Sequence, residues 1–247
     1  MRPKCSVLDM DGSLALGKFP SLLDARNVTR AEVLALRLAK RAGIEAASAR
    51  VVQVGNTPVA VIRRFDRTPN HARIHYVSAA SMLQASRHEE RSYIEIADVI
   101  RAKCANPTAD VQQLWRRLVF NLLITNVDDH LQNLGFLYVG QGQWRLAPHF
   151  DVNPFPDKDR ESKTWLSETT GPITSLDMLM AQASYFSLQP AEALHVLAQV
   201  CASVREWRAT ALSPDVGLQM RELDDFAPAF EHGQMEEARG LIGESVG

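Results

Sequence analysis

An apolar stripe at helical spacing runs straight into the most polar stretch of the chain, and that junction constrains the fold more than any other feature. Val111, Leu114, Trp115, Leu118, Val119, Leu122 and Leu123 recur at three- and four-residue intervals, the pattern of a helix with one buried face, and Asp110 is placed to cap its start. Asn126-Val127-Asp128-Asp129-His130-Leu131-Gln132-Asn133 follows at once. A helix this apolar belongs in a core, so its end delivers carboxylates, amides and an imidazole to the rim of that core. A turn would account for the Asp and Asn residues, which bond local backbone. It gives no reason for Asp151, which stands beyond the next hairpin in Phe150-Asp151-Val152-Asn153-Pro154.

Phosphoryl transfer gives a reason for the whole set. One carboxylate receives the proton of the acceptor hydroxyl, and an Asn and an Asp hold magnesium on the phosphates. The spacing Asp-x-x-x-x-Asn with a later Asp is that of a protein-kinase catalytic loop and metal-binding segment. Asp128, Asn133 and Asp151 occupy those positions, with Asp-Val-Asn standing where Asp-Phe-Gly is usual. A metal-dependent hydrolase built on Asp128, Asp129, His130 and Asp151 is the competing use of the same residues. Asp129 and Asn126 are expected to brace the loop, and His130 to bond its backbone.

Upstream, Asp11-Gly12 and Gly55-Asn56 mark two hairpins, the first ending near Lys18 and the second running from Arg50 to Phe65. Between them Thr29-Arg30-Ala31-Glu32 has capping-box spacing and opens a helix that Gly43 ends. Glu32 is read first as the capping partner of Thr29, and second as an ion-pair partner for Lys18. From Ser78 onward the apolar spacing turns helical, interrupted by a hairpin around Gly140-Gln141-Gly142 and a polar, irregular run from Pro154 to Pro172. Strands concentrated early and helices late predict an α+β protein.

With 27 Lys+Arg against 29 Asp+Glu and a net charge of −2, nothing global favours nucleic acid or an anionic membrane. The four tryptophans have no basic interleaving that would suggest base stacking. Arg63, Arg64, Arg67 and Arg73 form the main basic cluster, read as a solvated face or as a contact for phosphates or an acidic partner. Three scattered cysteines point to a reducing, cytoplasmic setting. The longest apolar run is far below the roughly 20 residues that span a bilayer.

Asn-x-Asp-Asp-His-x-x-Asn, Ala147-Pro148-His149-Phe150-Asp151-Val152-Asn153-Pro154 and Arg64-Phe65-Asp66-Arg67 together resemble the HipA toxin family of bacterial serine/threonine kinases. The opening Arg2-Pro3-Lys4, the strand ending in Lys18-Phe19-Pro20 and the helix end before Gly43-Ile44 fit as well. The resemblance implies a bilobal protein-kinase-like fold, with a shortened strand-rich N-lobe over 1–70 and a helical C-lobe over 71–247. It implies ATP and Mg as cofactors, Asp128 as catalytic base, Asn133 and Asp151 as magnesium ligands, and Lys18 on the ATP phosphates. Phe65 and Asp66 would sit at the linker between lobes, near adenine and ribose. It further implies a protein substrate such as an aminoacyl-tRNA synthetase or other translation factor, and a DNA-binding antitoxin as partner.

In that family a glycine- and serine-containing loop covers the ATP phosphates ahead of the Pro-Lys strand. No Gly precedes Gly12 here, so that cradle is expected from residues upstream or from a separate small subunit. The alternative is a catalytically impaired pseudokinase or fragment, acting as a binding subunit of a toxin-antitoxin complex.

Overall fold

The computed structural model describes residues 3–86 and 89–243; Arg2 of the opening motif lies outside them. Strands β1 (Lys4–Leu8) and β2 (Leu14–Lys18) form the first hairpin, with Gly12 at φ +79° in its turn. Only glycine takes that left-handed position without cost. Helix α1 (Val28–Arg41) follows, and β3 (Ala49–Val54) and β4 (Thr57–Arg63) form the second hairpin. The four strands make one antiparallel sheet in the order β1-β2-β4-β3.

The expected cap of α1 is corrected. Asn27, not Thr29, caps the helix by accepting from the Arg30 N–H. Thr29 and Glu32 lie inside the helix and are buried, because Glu32 is drawn to a charge on β2 rather than to a backbone donor. The helix end is as expected, at Ala42, with Gly43 left-handed at φ +73°.

Next come β5 (Tyr76–Ser78), α2 (Ala79–Met82), α3 (Tyr93–Lys103) and α4 (Pro107–Leu123). The expected start of α4 is also corrected: Pro107 opens it, and Asp110 sits in the first turn. The Asp110 carboxylate instead accepts from the Leu146 N–H. Strands β6 (Gly135–Gly140) and β7 (Gln143–Leu146) pair with β5 in a three-stranded sheet ordered β5-β6-β7. The run expected to be irregular contains a short ribbon, β8 (Trp165–Ser167) with β9 (Gly171–Pro172). Helices α5 (Leu176–Ala181), α6 (Pro190–Arg205), α7 (Trp207–Leu212), α8 (Met220–Phe230) and α9 (Gly233–Leu241) complete the chain.

Helix α4 is the axis of the core. Its Trp115 and Phe120 are fully buried, and the Trp115 indole N–H donates to the Leu179 carbonyl at 3.0 Å, so the large ring carries no unpaired polar atom. Helix α1 packs against β3 and β4 on one side and α6 and α7 on the other, joining the four-stranded sheet to the helical mass in one continuous apolar core.

Two polar devices fix the segment before Asp151. Arg117 of α4, 3% exposed, donates to the Ala147 carbonyl at 2.8 Å and the Glu45 carbonyl at 3.3 Å; burial pulls its guanidinium down to about 10. His149 exchanges backbone hydrogen bonds with the loop before β3, its N–H donating to Glu45 and its carbonyl accepting from Ala47. The approach to Asp151 is thus bolted both to α4 and to the N-terminal sheet. No helix among the described residues is long and apolar enough to cross a membrane.

Gly135 lets β6 pass beneath the Tyr76 ring, since a Cβ there would lie 2.5 Å from Tyr76 Cζ. Phe65 and Phe150 hold that ring at centroid distances of 6.1 and 6.2 Å. Gly135→Ala is expected to destabilise the fold by about 1–3 kcal/mol through overpacking, read as a drop of several degrees in Tm; an unchanged Tm would show that Tyr76 is free to move aside.

Candidate active site

Helix α4 ends at Ile124, and Thr125 turns the chain with φ +52°. A β-branched residue in this region is strained, on the order of 1–3 kcal/mol. Here it is held by its hydroxyl, which donates to the Ala229 carbonyl at 3.1 Å, and by its own carbonyl, which accepts from the Phe155 N–H. The polar loop leaves α4 in one fixed direction as a result.

Asn126 braces the loop, its amide donating to Asn121 Oδ1 at 3.0 Å and its oxygen accepting from the Asn153 N–H at 3.2 Å. Asp129 braces it further. Oδ2 accepts from the Tyr93 hydroxyl at 2.5 Å and Oδ1 from the Lys163 N–H at 2.7 Å. Burial pushes its carboxyl up to about 6 against the pull of those donors. The hydrolase cluster is therefore not assembled: both Asp129 oxygens are engaged elsewhere, and among the described residues no group of three or more His, Cys, Asp or Glu is placed to hold a metal.

Asp128 stays partly exposed and forms an ion pair with the Lys163 ammonium. Burial opposes its ionisation, but the hydrogen bond and charge of Lys163, helped by His130 and Lys158, hold its carboxyl below the usual range. The expected His130 hydrogen bond to the loop is not made among the described residues: Nε2 lies 4.0 Å from Asp128 Oδ1 and buried Nδ1 has no partner among them. The Asn133 amide donates to the Asp128 carbonyl at 2.9 Å, tying the two ends of the Asp-x-x-x-x-Asn segment together.

Lys18, at the end of β2, reaches Glu32 of α1 at 2.6 Å and Asp151 at 2.7 Å. Burial pulls its ammonium down, and the two carboxylates outweigh that and hold it above the ordinary lysine value. The expected pairing of Lys18 with Glu32 is thus the use made of Glu32. Asp151 has φ +54°, a strained conformation for a non-glycine residue that the bolted segment before it maintains.

Lys18 and Asp151 line a cleft of about 340 Å³ together with Leu16, Ile62, Phe65, Asp66, Tyr76 and Phe150, within the range of small-molecule sites. Phe65 stands 5.4 Å from Phe150 and 6.1 Å from Tyr76 between ring centroids, giving the cleft an aromatic wall beside charged residues that also include Lys4, Arg63 and Arg64. Asp66 in the same lining accepts from Arg64 Nε at 2.8 Å and an Arg67 guanidinium nitrogen at 2.6 Å, so one carboxylate answers two members of the basic cluster. Asn133 and Asp151 also share a small cavity with Asn126, Asp129 and His149, whose remaining lining is largely apolar.

The donors fit a magnesium ion. The Asn133 amide nitrogen is engaged by the Asp128 carbonyl, which leaves its oxygen as the end available to a cation, and Asp151 adds a carboxylate. Two oxygen ligands without imidazole or thiolate suit Mg completed by phosphate and water better than a transition metal. The sequence reading did not find Lys163 or the cleft-lining Tyr76. Lys163 is 35 residues from Asp128 in a polar run without periodicity, and no local pattern marks it. Tyr76 lies between the second hairpin and the helical region, in a stretch that carries no marked pattern.

Comparison with known proteins gives the family and the fold. A family model described as the HipA-like C-terminal domain matches residues 1–208. The serine/threonine-protein kinase toxin HipA of Shewanella oneidensis is 30% identical over 142 residues, 49% of this chain and 33% of that protein. The chain spans between 22% and 40% of the curated relatives it matches. Among solved structures, the S. oneidensis MR-1 complex of HipA, HipB and operator DNA matches with a TM-score of 0.76 at 18% identity, over 99% of this chain and 66% of that one. The Helicobacter pylori proinflammatory kinase CtkA matches with a TM-score of 0.69 at 16% identity, over 99% and 93%. The fold is therefore the α+β kinase fold of those two proteins.

The raised carboxyl of Asp129 makes a pH prediction. The unfolded chain releases this proton near 3.8 and the folded protein near 6, so the stability tied to the protonated form is present below 3.8 and lost as pH rises to 6, at a cost of roughly 3 kcal/mol by neutral pH. Asp129→Asn is expected to move its Tm upward relative to wild type between pH 4 and pH 7 in scanning calorimetry. A constant offset across that range would contradict the assignment.

Proposed function

Because the chain belongs to the HipA-like C-terminal domain family, we propose that it carries the ATP- and Mg-dependent phosphotransfer site of a serine/threonine protein kinase, the toxin of a bacterial toxin-antitoxin system. The observation that carries this reading is Lys18 held between Glu32 and Asp151 in a cleft that is also lined by three aromatic rings. That combination suits a nucleotide, with its base against Phe65, Tyr76 and Phe150 and its phosphates toward Lys18.

Asp128 accepts the proton of the acceptor hydroxyl, and its low-lying carboxyl keeps it ionised for that task at neutral pH. Lys18 neutralises phosphate oxygens, and Glu32 keeps the ammonium aimed when Asp151 takes up its other role. Asn133 and Asp151 would hold magnesium, which offsets phosphate charge during transfer. Phe65 and Asp66 border the base and ribose end. The partners proposed with this reading are a protein substrate, a translation factor such as an aminoacyl-tRNA synthetase fitting the family, and a DNA-binding antitoxin, all in the cytoplasm.

Asp128→Ala is expected to lower phosphate transfer by about 10²–10⁴-fold with ATP affinity nearly unchanged, and Asp151→Ala to weaken ATP binding only when Mg is present. Calorimetry of ATP with and without Mg, beside a γ-phosphate transfer assay, checks both. Undiminished transfer by Asp128→Ala would refute the mechanism, and tight Mg-dependent binding without transfer by the wild type would select a binding subunit instead.

A further inference from the structure

The segment bearing Lys163 is fixed far more firmly than an exposed lysine requires. The Lys163 N–H donates to Asp129 Oδ1 and the Thr164 hydroxyl to the Asp129 carbonyl at 2.8 Å. The Trp165 N–H donates to the Arg91 carbonyl. Ser162 locks the other side, its hydroxyl donating to the Thr164 carbonyl at 2.6 Å and accepting from the Ile173 N–H at 2.7 Å. From this rigid base the Lys163 side chain, half exposed, extends to Asp128.

Stability does not explain the arrangement, because an ion pair this exposed is screened by water and contributes little. Placement does. Two lysines of the site pair with carboxylates, Lys18 with Glu32 and Asp151 on the nucleotide side and Lys163 with Asp128 at the base. His130, two residues beyond Asp128, lies 4.0 Å from its Oδ1. Among the described residues Lys163 is the lysine in ion-pair contact with Asp128, and Lys158 adds only a longer-range charge.

We propose that Lys163 is a second phosphate-directed catalytic lysine, supplied from the segment before β8, which turns from Asp128 to the phosphoryl group in transit. The proposal rests on the kinase reading above. In the step, the bond from the γ-phosphorus to the bridging oxygen of ATP breaks and ADP leaves with that electron pair. The acceptor oxygen forms the new bond to phosphorus, and its proton passes to Asp128. Lys163 keeps its own protons throughout and contributes charge to the equatorial oxygens, where stabilising the transition state rather than the bound substrate raises kcat instead of lowering KM.

Lys163→Met, compared with wild type and Lys163→Arg, is the test. The expected result is a kcat lowered about 10- to 100-fold, an ATP KM within twofold, an unchanged Tm, and recovery of most of the rate in Lys163→Arg. A kcat within twofold of wild type, or a loss confined to KM, overturns the proposal while leaving the kinase reading intact; a wild type that binds ATP but transfers nothing overturns that reading itself. A readout independent of turnover is amine acylation followed by mass spectrometry. Labelling of Lys163 is expected to rise in Asp128→Asn and to fall when a non-hydrolysable ATP analogue and Mg are added, and labelling indifferent to both overturns the proposal.

Discussion

A lysine ammonium is withdrawn from water without neutralising only if opposite charge replaces its hydration, and for Lys18 that condition is met by two carboxylates from different parts of the chain. Glu32 comes from the neighbouring helix, whereas Asp151 is 133 residues away in sequence. The triangle joins the β1–β4 sheet, helix α1 and the segment after β7 at one point. Removing either carboxylate leaves the lysine half answered; removing the lysine takes from buried Glu32 the cation it pairs with. The geometry of the cleft follows, because β2 and the Asp151 segment both line it.

The supports behind that triangle are polar but largely buried. Arg117 and the His149 backbone hold the approach to Asp151, while Thr125 and Asn126 fix where the α4 loop begins. The αL conformations of Thr125 and Asp151 are local costs that the surrounding hydrogen bonds offset. Strain of this kind collects where a side chain must be aimed rather than merely packed. Asp129, adjacent to the proposed base, is turned inward to Tyr93 and Lys163, so neighbouring carboxylates divide into one that holds the loop and one left partly exposed.

Much of this was legible because it is local. Asp11-Gly12, Gly55-Asn56 and Gly140-Gln141-Gly142 each fix a hairpin through backbone conformations few residues adopt, and the stripe of α4 declares a buried face. The errors arose where a side chain had two possible partners. Thr29 and Glu32 have the spacing of a cap, but Glu32 answers Lys18, a partner visible only in three dimensions. Asp110 looks like a cap, but its carboxylate serves the Leu146 N–H across the fold. The assignment of Asp128, Asn133 and Asp151 rests on their spacing, whereas Lys163 has no spacing rule to betray it, its place being set by the turn of the chain around Asp129.

The most direct measurement is a crystal structure with a non-hydrolysable ATP analogue and manganese, located by its anomalous signal. The account predicts one manganese peak bridging Asn133 Oδ1, the Asp151 carboxylate and the nucleotide phosphates, with the base against Phe65, Tyr76 and Phe150. A manganese ion away from Asn133 and Asp151, or a nucleotide bound outside the Lys18 cleft, would contradict it.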